Sequence, residues 1–303
     1  MVSLTNNVRA QSGLSQLRLT SDLNVVARRH AYEMAQRQRI YHNPTLRSDV
    51  RYWNILGEGA IANVYIPMGM TAENVAERFG VKRDEMDRFA QQSQERAVAA
   101  QASGFFSREI TPYLKADGTF VEKDDGPRPD STLEKLASLA PAFKPDGVVT
   151  AGNSCQLNDG AAAVLVMSDE RARQLGITPL ARIVATSVTA LDPEIMGVGP
   201  IEAVRTVLKR AGMSIDDIEV VELNEAFAAQ VLPVCREIGV DPFSDKLNPH
   251  GGAIALGHPY GMTGARIMCT LLNDLRSLDR TIGLETMCVG GGQGMAMVVE
   301  RLS

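Results

Sequence analysis

Three residues with chemically useful side chains lie near the C-terminus, each in a short motif between apolar runs. Asn224 opens the motif Asn-Glu-Ala-Phe-Ala, His258 follows a run rich in glycine and alanine, and Cys288 shortly precedes three consecutive glycines. An amide can hold a water or donate to an oxyanion, an imidazole can activate a thiol, and a thiol can carry a proton. Together these groups suit carbanion chemistry on a thioester.

The position of Asn224 supports two interpretations. It follows a predicted strand and precedes a predicted helix, where active-site residues often project from α/β sheets. In that case its amide holds a water or stabilises an oxyanion. The alternative is that Asn224 only caps the helix that follows it.

His258 and Cys288 also have structural alternatives. The glycines and alanines before His258 predict that the backbone passes close to a ligand or to another strand. The alternative for His258 is a core histidine bonded to backbone. The glycine amides after Cys288 can face a developing negative charge, and the thiol beside them is expected to have a lowered pKa. The alternative for Cys288 is a buried cysteine that packs as a small hydrophobe.

The elements that must position these motifs alternate between strand and helix from about residue 148 onward, which predicts an α/β layered domain. Ser168 and Gly176 bound one predicted helix, Gly212 closes another, and Pro233 interrupts a third. The predicted elements are a buried apolar run at 161–167, strands at 181–189, 218–223, 282–287 and 295–299, and helices at 200–211, 225–238 and 264–278.

Helical patterns dominate the first part of the chain. They cover residues 21–39, 71–79 and 83–103, and Gly80 and Gly104 are the expected stops of the last two. The predicted buried positions of the longest helix are Met86, Phe89, Ala90, Ala97 and Ala100. A polar stretch at 115–129 is expected to be an exposed connection.

Bulk properties exclude several classes of protein. A length of 303 residues suggests about two domains, and a net charge of −5 argues against a general nucleic-acid binder. No apolar run is long enough for a membrane span, and the first residues lack the layout of a secretory signal. Four cysteines without a CxxC pair and four scattered histidines argue against a metal site and favour the reducing cytoplasm.

From about residue 63 to Ser303 the chain resembles the thiolase family. The resemblance rests on the three motifs in this order and on further matching stretches at 68–76, 141–147, 150–153 and 158–163. It implies an α/β, thiolase-like layered fold with a complete C-terminal half, a truncated N-terminal half and a short helical N-terminal segment. The implied domains are an N-terminal fragment at 1–62, a remnant of the N-terminal half with a CoA-binding loop region at 63–147, and the C-terminal domain at 148–303.

The resemblance also implies a reaction. Thiolases are acetyl-CoA acyltransferases or acetyltransferases of fatty acid metabolism, β-oxidation included, and they join or cleave acyl-CoA units by a ping-pong Claisen mechanism. By position, His258 would activate the nucleophilic cysteine and share an oxyanion hole with a water on Asn224. Cys288 would exchange the α-proton of acetyl-CoA, and the Gly290 amide would contribute to a second oxyanion hole.

A coenzyme A site follows from the same resemblance, with CoA as substrate and product and no separate cofactor. Cys155 stands where a serine that contacts pantetheine is common in the family. The expected partners are acyl-CoA and CoA, together with a second copy of the chain or a subunit that supplies the N-terminal half, and neither nucleic acid nor membrane. The residues expected to line the CoA are Arg128, Leu139, Phe143, Ala151, Cys155, Ala226 and Phe227.

The family's nucleophilic cysteine has no counterpart in this sequence. In thiolases it lies in a segment resembling Cys-x-Ser-Gly in the N-terminal half, whereas no cysteine precedes Cys155 here. Losing one member of an interdependent catalytic set typically removes orders of magnitude of rate, so we expect impaired thiolase activity. The alternative is a non-catalytic acyl-CoA-binding or thiolase-interacting fusion protein.

Residues 1–60 resemble the start of a CAP-superfamily domain instead. The resemblance is carried by residues 7–14, 41–44 and 53–58, and His42 and Glu58 match half of that family's cavity tetrad. It predicts that two truncated families are joined near residues 57–67, which would explain the missing nucleophile. A third function, that of a CAP-like module, is the least supported by the sequence.

Overall fold

The computed structural model describes residues 66–303 of the chain. The predictions made for the N-terminal part, namely the helix at 21–39 and the CAP-like fragment with His42 and Glu58, lie outside the described residues. From residue 66 onward the chain has the predicted mixture of helices and strands.

A four-stranded mixed sheet is the central element of the described chain. Its order is β3-β6-β5-β4, in which β6 is antiparallel to both neighbours and β4 is parallel to β5. These strands are β3 (Ala181–Ala190), β4 (Val220–Leu223), β5 (Ile282–Val289) and β6 (Gln293–Arg301), and a small hairpin of β1 (Tyr113–Leu114) and β2 (Phe120–Val121) precedes them.

Helices connect the strands and cover both faces of the sheet. None of the described helices is long and apolar enough to cross a membrane. The α-helices in the described residues are α1 (Met68–Phe79), α2 (Arg83–Ala102), α3 (Leu133–Ala137), α4 (Asp169–Leu175), α5 (Pro200–Ala211), α6 (Ala228–Ile238), α7 (Ala253–Leu256) and α8 (Thr263–Ser277).

The alternation of side chains along each strand divides the core into two layers. Val221 belongs to a large cluster that includes Val204 of α5 and Leu232 of α6. The neighbouring Val220 packs instead with Leu271 of α8. Because successive strand residues point to opposite faces, α5 and α6 cover one face of the sheet and α8 covers the other.

Local signals placed several helix ends correctly, although α1 begins at Met68 rather than at residue 71 and α6 at Ala228 rather than at residue 225. α1 ends at Gly80 and α5 at Gly212, both in the left-handed conformation that glycine adopts without strain. The Ser168 hydroxyl accepts a hydrogen bond from the Arg171 amide and caps α4 as predicted. The five predicted buried positions of α2 are all buried. The polar stretch at 115–129 is largely exposed, also as predicted, although it contains β2.

The prediction of a buried apolar run at 161–167 is wrong. The segment forms no regular element and makes no backbone–backbone hydrogen bond in the described chain. Leu165 is 79% exposed and Val166 is 67% exposed. The sequence has the apolar composition of a core strand, but no described strand lies beside it, so its side chains and backbone groups remain uncovered.

We expect the exposed run at 161–167 to contribute little to the free energy of unfolding of this chain. Leu165→Ser should change the free energy of unfolding by about 0.5 kcal/mol or less, as surface substitutions usually do. Leu284→Ala, which removes a fully buried side chain of β5, should cost about 2–5 kcal/mol. Urea unfolding of both variants checks this. A large loss in Leu165→Ser would show that the segment is packed in solution.

Candidate active site

The parallel pairing of β4 and β5 brings Asn224 and Cys288 to one edge of the sheet. Leu223, the last residue of β4, pairs with Thr286 of β5. The backbone N–H of Asn224 then donates to the carbonyl of Thr286 at 3.0 Å. Cys288 lies two residues further along β5, so the amide and the thiol both lie at the carboxyl ends of adjacent strands. Ligands bind at such edges in α/β proteins.

The side chain of Asn224 is available for binding. α6 begins at Ala228 with Phe227 as its N-cap, so the interpretation of Asn224 as a helix cap is wrong. Asn224 is fully buried, and neither its amide oxygen nor its amide nitrogen has a hydrogen-bond partner among the described residues. A buried amide without partners costs about 1–3 kcal/mol. That cost is removed when a water or a substrate oxygen binds there.

Cys288 lies in an apolar pocket at the same edge. It is 5% exposed and packs with Met196 and Ala226. The Gln230 amide nitrogen lies 3.1 Å from its sulfur. Burial raises the pKa of the Cys288 thiol to about 11, although the hydrogen bond from Gln230 opposes the shift. The prediction of a lowered pKa is therefore wrong, because the loss of solvent outweighs the polar contacts of the sulfur.

The imidazole of His258 is held through one ring nitrogen. Its Nδ1 lies 2.6 Å from the hydroxyl of Thr263, the first residue of α8. The alternative of a ring bonded to backbone is therefore wrong, and Nε2 makes no hydrogen bond to another described residue. Burial, and the positive charge of Arg266, lower the pKa of His258 below its usual value. The neutral ring that results at neutral pH can accept a proton.

A short segment connects the two parts of the site. The Cys155 N–H donates to the Ala226 carbonyl at 3.0 Å, and the His258 N–H donates to the Gln156 carbonyl at 3.4 Å. Before His258, Gly257 has a φ of +91°, and a Cβ there would lie 2.3 Å from the Asn158 side chain. The predicted close approach of the glycine-rich backbone is confirmed, and here it is an approach to protein.

Glu225 anchors the loop that carries Asn224. Its buried carboxylate accepts hydrogen bonds from the Ser93 hydroxyl at 2.6 Å, the Asn248 amide at 2.7 Å and the Ile254 N–H at 3.2 Å. These partners belong to α2, to the loop between α6 and α7 and to α7, so one side chain ties the loop after β4 to α2 and to the segment around α7. From the sequence we singled out no role for Glu225 beyond its place in the Asn224 motif. A carboxylate in an otherwise apolar, buried motif was the available signal.

The predicted CoA residues near the thiol are brought together. The rings of Phe143 and Phe227 meet edge to face at 6.0 Å. Ala226 packs directly with Cys288, and Cys155 and Phe227 lie against the same cluster. Burial, and then the neighbouring Cys288, raise the pKa of Cys155 to about 12.

The remaining predicted residues lie further out on the surface. Arg128 is exposed, and its guanidinium is 3.5 Å from the Gln156 side-chain oxygen. Leu139 is exposed and lies beside Gly152, next to the exposed Ala151. Gly290 lies in the turn between β5 and β6, and nothing in the described chain is within 4 Å of where its Cβ would be. Its side of the turn is therefore open to a ligand.

A group of mostly buried carboxyls surrounds Arg266, one turn into α8. The Glu222 carboxylate lies 3.9 Å from the Arg266 guanidinium and is fully buried. Burial raises the pKa of Glu109 to about 7 and that of Glu285 to about 8, while Arg266 lowers both. Arg266 thus offsets only part of the desolvation cost of its neighbours.

Comparison with known proteins gives two family matches along the chain. Residues 26–170 match the family model described as the thiolase N-terminal domain, and residues 177–301 match the thiolase C-terminal domain. The first match begins within the segment that we predicted to be CAP-like, and the CAP assignment stays a prediction.

Similar proteins include an acetyltransferase and two proteins named as thiolases. The chain is 51% identical to an acetyl-CoA acetyltransferase of Chromobacterium violaceum over 77% of this chain and 60% of that protein. It is 50% identical to a beta-ketoadipyl-CoA thiolase of Pseudomonas aeruginosa over 78% of this chain and 60% of that protein. The structure of human mitochondrial 3-ketoacyl-CoA thiolase in complex with CoA matches with a TM-score of 0.73 and 43% identity, over 78% of this chain and 59% of that one. The chain thus spans about 60% of the length of these curated relatives.

The carboxyls around Arg266 predict that folding stability falls between about pH 5 and about pH 8. Glu109 and Glu285 keep their protons to higher pH in the folded chain than in the unfolded chain, so the folded state binds more protons in this window. Stability is highest below the window and is lost as the pH rises through it.

Urea unfolding at several pH values measures this fall. Glu285→Gln should make it shallower, whereas Glu202→Gln, which removes an exposed carboxylate of α5, should leave it unchanged. An identical slope in Glu285→Gln and the parent would contradict the assignment.

Proposed function

The chain belongs to the thiolase family, and from this premise we propose that it carries the acid/base part of a thiolase-type acyltransferase site. The proposed reaction is the reversible Claisen condensation and thiolysis between acyl-CoA and acetyl-CoA, with CoA as substrate and product and no separate cofactor. The observation that carries the proposal is the fully buried amide of Asn224, which has no hydrogen-bond partner within residues 66–303 and lies at the same sheet edge as the Cys288 thiol.

In the proposed reaction Cys288 moves the α-proton. Its thiolate takes the proton from the methyl group of acetyl-CoA, and the electron pair left on carbon delocalises onto the thioester oxygen. Preorganised donors that face this oxygen stabilise the enolate, and the Gly290 amide is proposed to form part of a second oxyanion hole. With a pKa of about 11, only a small fraction of Cys288 is ionised at neutral pH, but that thiolate is a strong base. The thiol that it becomes returns the proton during thiolysis.

Asn224 and His258 would share one oxyanion hole. A water held on the Asn224 amide and Nε2 of His258 are its two proposed donors. The hydrogen bond between Nδ1 and the Thr263 hydroxyl fixes the orientation of the ring. Because the pKa of His258 is lowered, the ring is neutral at neutral pH, so Nε2 can take the proton of an acyl-accepting thiol and, once protonated, donate to the oxygen in the hole.

None of the three other cysteines of this chain is activated to accept an acyl group. Burial raises the pKa of Cys155 to about 12, and it also raises the pKa of Cys235 and of Cys269. Since the thiolate is the nucleophile, none of these thiols is activated at neutral pH. We therefore propose that this chain alone is impaired in the acyl-transfer half-reaction.

A second polypeptide that supplies the N-terminal half of the fold would restore that half-reaction. The run at 161–167 supports this proposal: within residues 66–303 its backbone groups pair with no other backbone group, so it is suited to pair with a strand from another chain. The run would then become buried, as its composition predicts.

A non-catalytic acyl-CoA-binding protein is the second candidate function. The observation that favours it is the grouping of Phe143, Phe227 and Cys155 around a site whose thiols all have raised pKa values. Arg128 is exposed and makes no ion pair within residues 66–303, so it is free to face a phosphate of CoA. The relative solved with CoA supports the same ligand.

Isotope exchange tests the proton-transfer step without requiring the nucleophile. The folded chain in D2O should introduce deuterium into the methyl group of acetyl-CoA, as read by mass spectrometry. Cys288→Ala should slow this exchange by roughly 10²-fold or more, the usual contribution of a positioned acid/base. Cys269→Ala, which changes a half-buried thiol outside the cluster around Cys288, is the control. Exchange that persists in Cys288→Ala would refute the proposed role.

CoA binding tests the ligand independently of turnover. Phe143→Ala should weaken CoA binding by roughly tenfold, since it removes one ring of the aromatic pair. Phe120→Ala is the matched control, because Phe120 is an exposed phenylalanine on the β1–β2 hairpin. Calorimetric titration measures both variants. Binding with no exchange would favour the non-catalytic function, and equal loss in the two variants would count against the assigned site.

A further inference from the structure

Gln230 is a polar side chain in an apolar setting. It lies in the first turn of α6, is 1% exposed, and has Ala229 and Val231 as fully buried neighbours. Burying an amide costs several kcal/mol unless hydrogen bonds compensate, so a buried glutamine is expected to have a hydrogen-bond partner.

The partner of this amide is Cys288. The Gln230 Nε2 lies 3.1 Å from the Cys288 sulfur, and the sulfur lies 3.5 Å from Gln230 Oε1. The side chain of Gln230 makes no other hydrogen bond within the described residues. Both polar atoms of the amide therefore face one thiol.

Backbone contacts at Gly197 and Phe227 hold Gln230 in place. A Cβ at Gly197 would lie 3.0 Å from Gln230 Cβ, so the turn before α5 packs closely against the side chain. The Gln230 N–H also donates to the Phe227 carbonyl at 3.0 Å, within the first turn of α6. The amide is thus confined between Gly197 and the thiol.

We propose that Gln230 is a positioning residue for Cys288. The Gln230 amide can form a hydrogen bond with the sulfur in both of its protonation states. The thiol donates its proton to Oε1, and the thiolate accepts a hydrogen bond from Nε2. This inference rests on the proposed function, in which the sulfur takes a proton from a substrate carbon and later returns it.

The amide suits this cycle better than other side chains of its size. When the α-proton moves to the sulfur, the electron pair stays on the enolate and the new S–H finds an acceptor in Oε1. When the proton leaves, the thiolate keeps a donor in Nε2. A leucine offers neither contact, and an ionised glutamate offers only an acceptor and adds a like charge.

The pH dependence of Cys288 alkylation tests the proposal directly. Iodoacetamide labelling, resolved by peptide mass spectrometry, reports the thiolate fraction of Cys288 in the intact folded chain. Cys155 is the titratable group packed against this sulfur, and its thiol, with a pKa of about 12, stays neutral up to about pH 10. The labelled peptides distinguish the two cysteines.

In Gln230→Leu the rate of Cys288 alkylation at about pH 9 should fall roughly tenfold or more, and the profile should move to higher pH. Gln230→Glu, which nearly preserves shape, should fall at least as far because its carboxylate repels the thiolate. Gln94→Leu removes a buried glutamine of α2 that contacts the Ile254 carbonyl and the Arg128 N–H, so its profile should match the parent.

Profiles that match the parent in both Gln230 variants would overturn the proposal and leave Gln230 as a space-filling residue. If Gln230→Leu does not fold, the near-isosteric Gln230→Glu decides alone. The role of Gln230 and the proposed function can fail separately. If the alkylation profile shifts but deuterium exchange does not depend on Cys288, Gln230 positions the thiol and the proposed function fails.

Discussion

The parallel pairing of β4 with β5 is the constraint on which the rest of the site depends. Parallel neighbours need a crossover connection, so the chain must leave β4, form α6, α7 and α8, and return before β5 begins. The loop after β4 carries Asn224, the crossover carries His258, and the end of β5 carries Cys288. The hydrogen-bonded register of β4 and β5 thereby places Asn224 and Cys288, far apart in sequence, at one sheet edge, and the backbone of His258 joins it through residues 155–156.

Burial has different effects on the groups of the candidate site. The buried amide of Asn224 has no hydrogen-bond partner within residues 66–303, while burial raises the pKa of the Cys288 thiol and lowers the pKa of His258. The carboxylate of Glu225 is also buried, but three hydrogen bonds compensate for it. The candidate site therefore contains one carboxylate with compensating hydrogen bonds, together with groups that lack a hydrogen-bond partner within the described residues or have a shifted pKa. This combination is common where a substrate completes the polar contacts.

The uncovered run at 161–167 shows the limit of reasoning from composition. Its apolar residues are those of a core strand, and the strand that would cover them is not among the described residues. Whether a segment is buried depends on which other segments pack against it as well as on its own residues. In a chain that spans about 60% of its relatives, a hydrophobic run does not establish which surface covers it.

The sequence by itself determined the local features of this protein. Gly80, Gly212 and Ser168 end or cap helices through contacts within a few residues, so their signals needed no tertiary information. The three polar motifs and the family were also readable in this way. Only the tertiary structure decided the direction of the Cys288 pKa, the free amide of Asn224 and the partners of Glu225 and Gln230. These depend on burial and on contacts between residues distant in sequence, which the pattern of residue types along the chain does not encode.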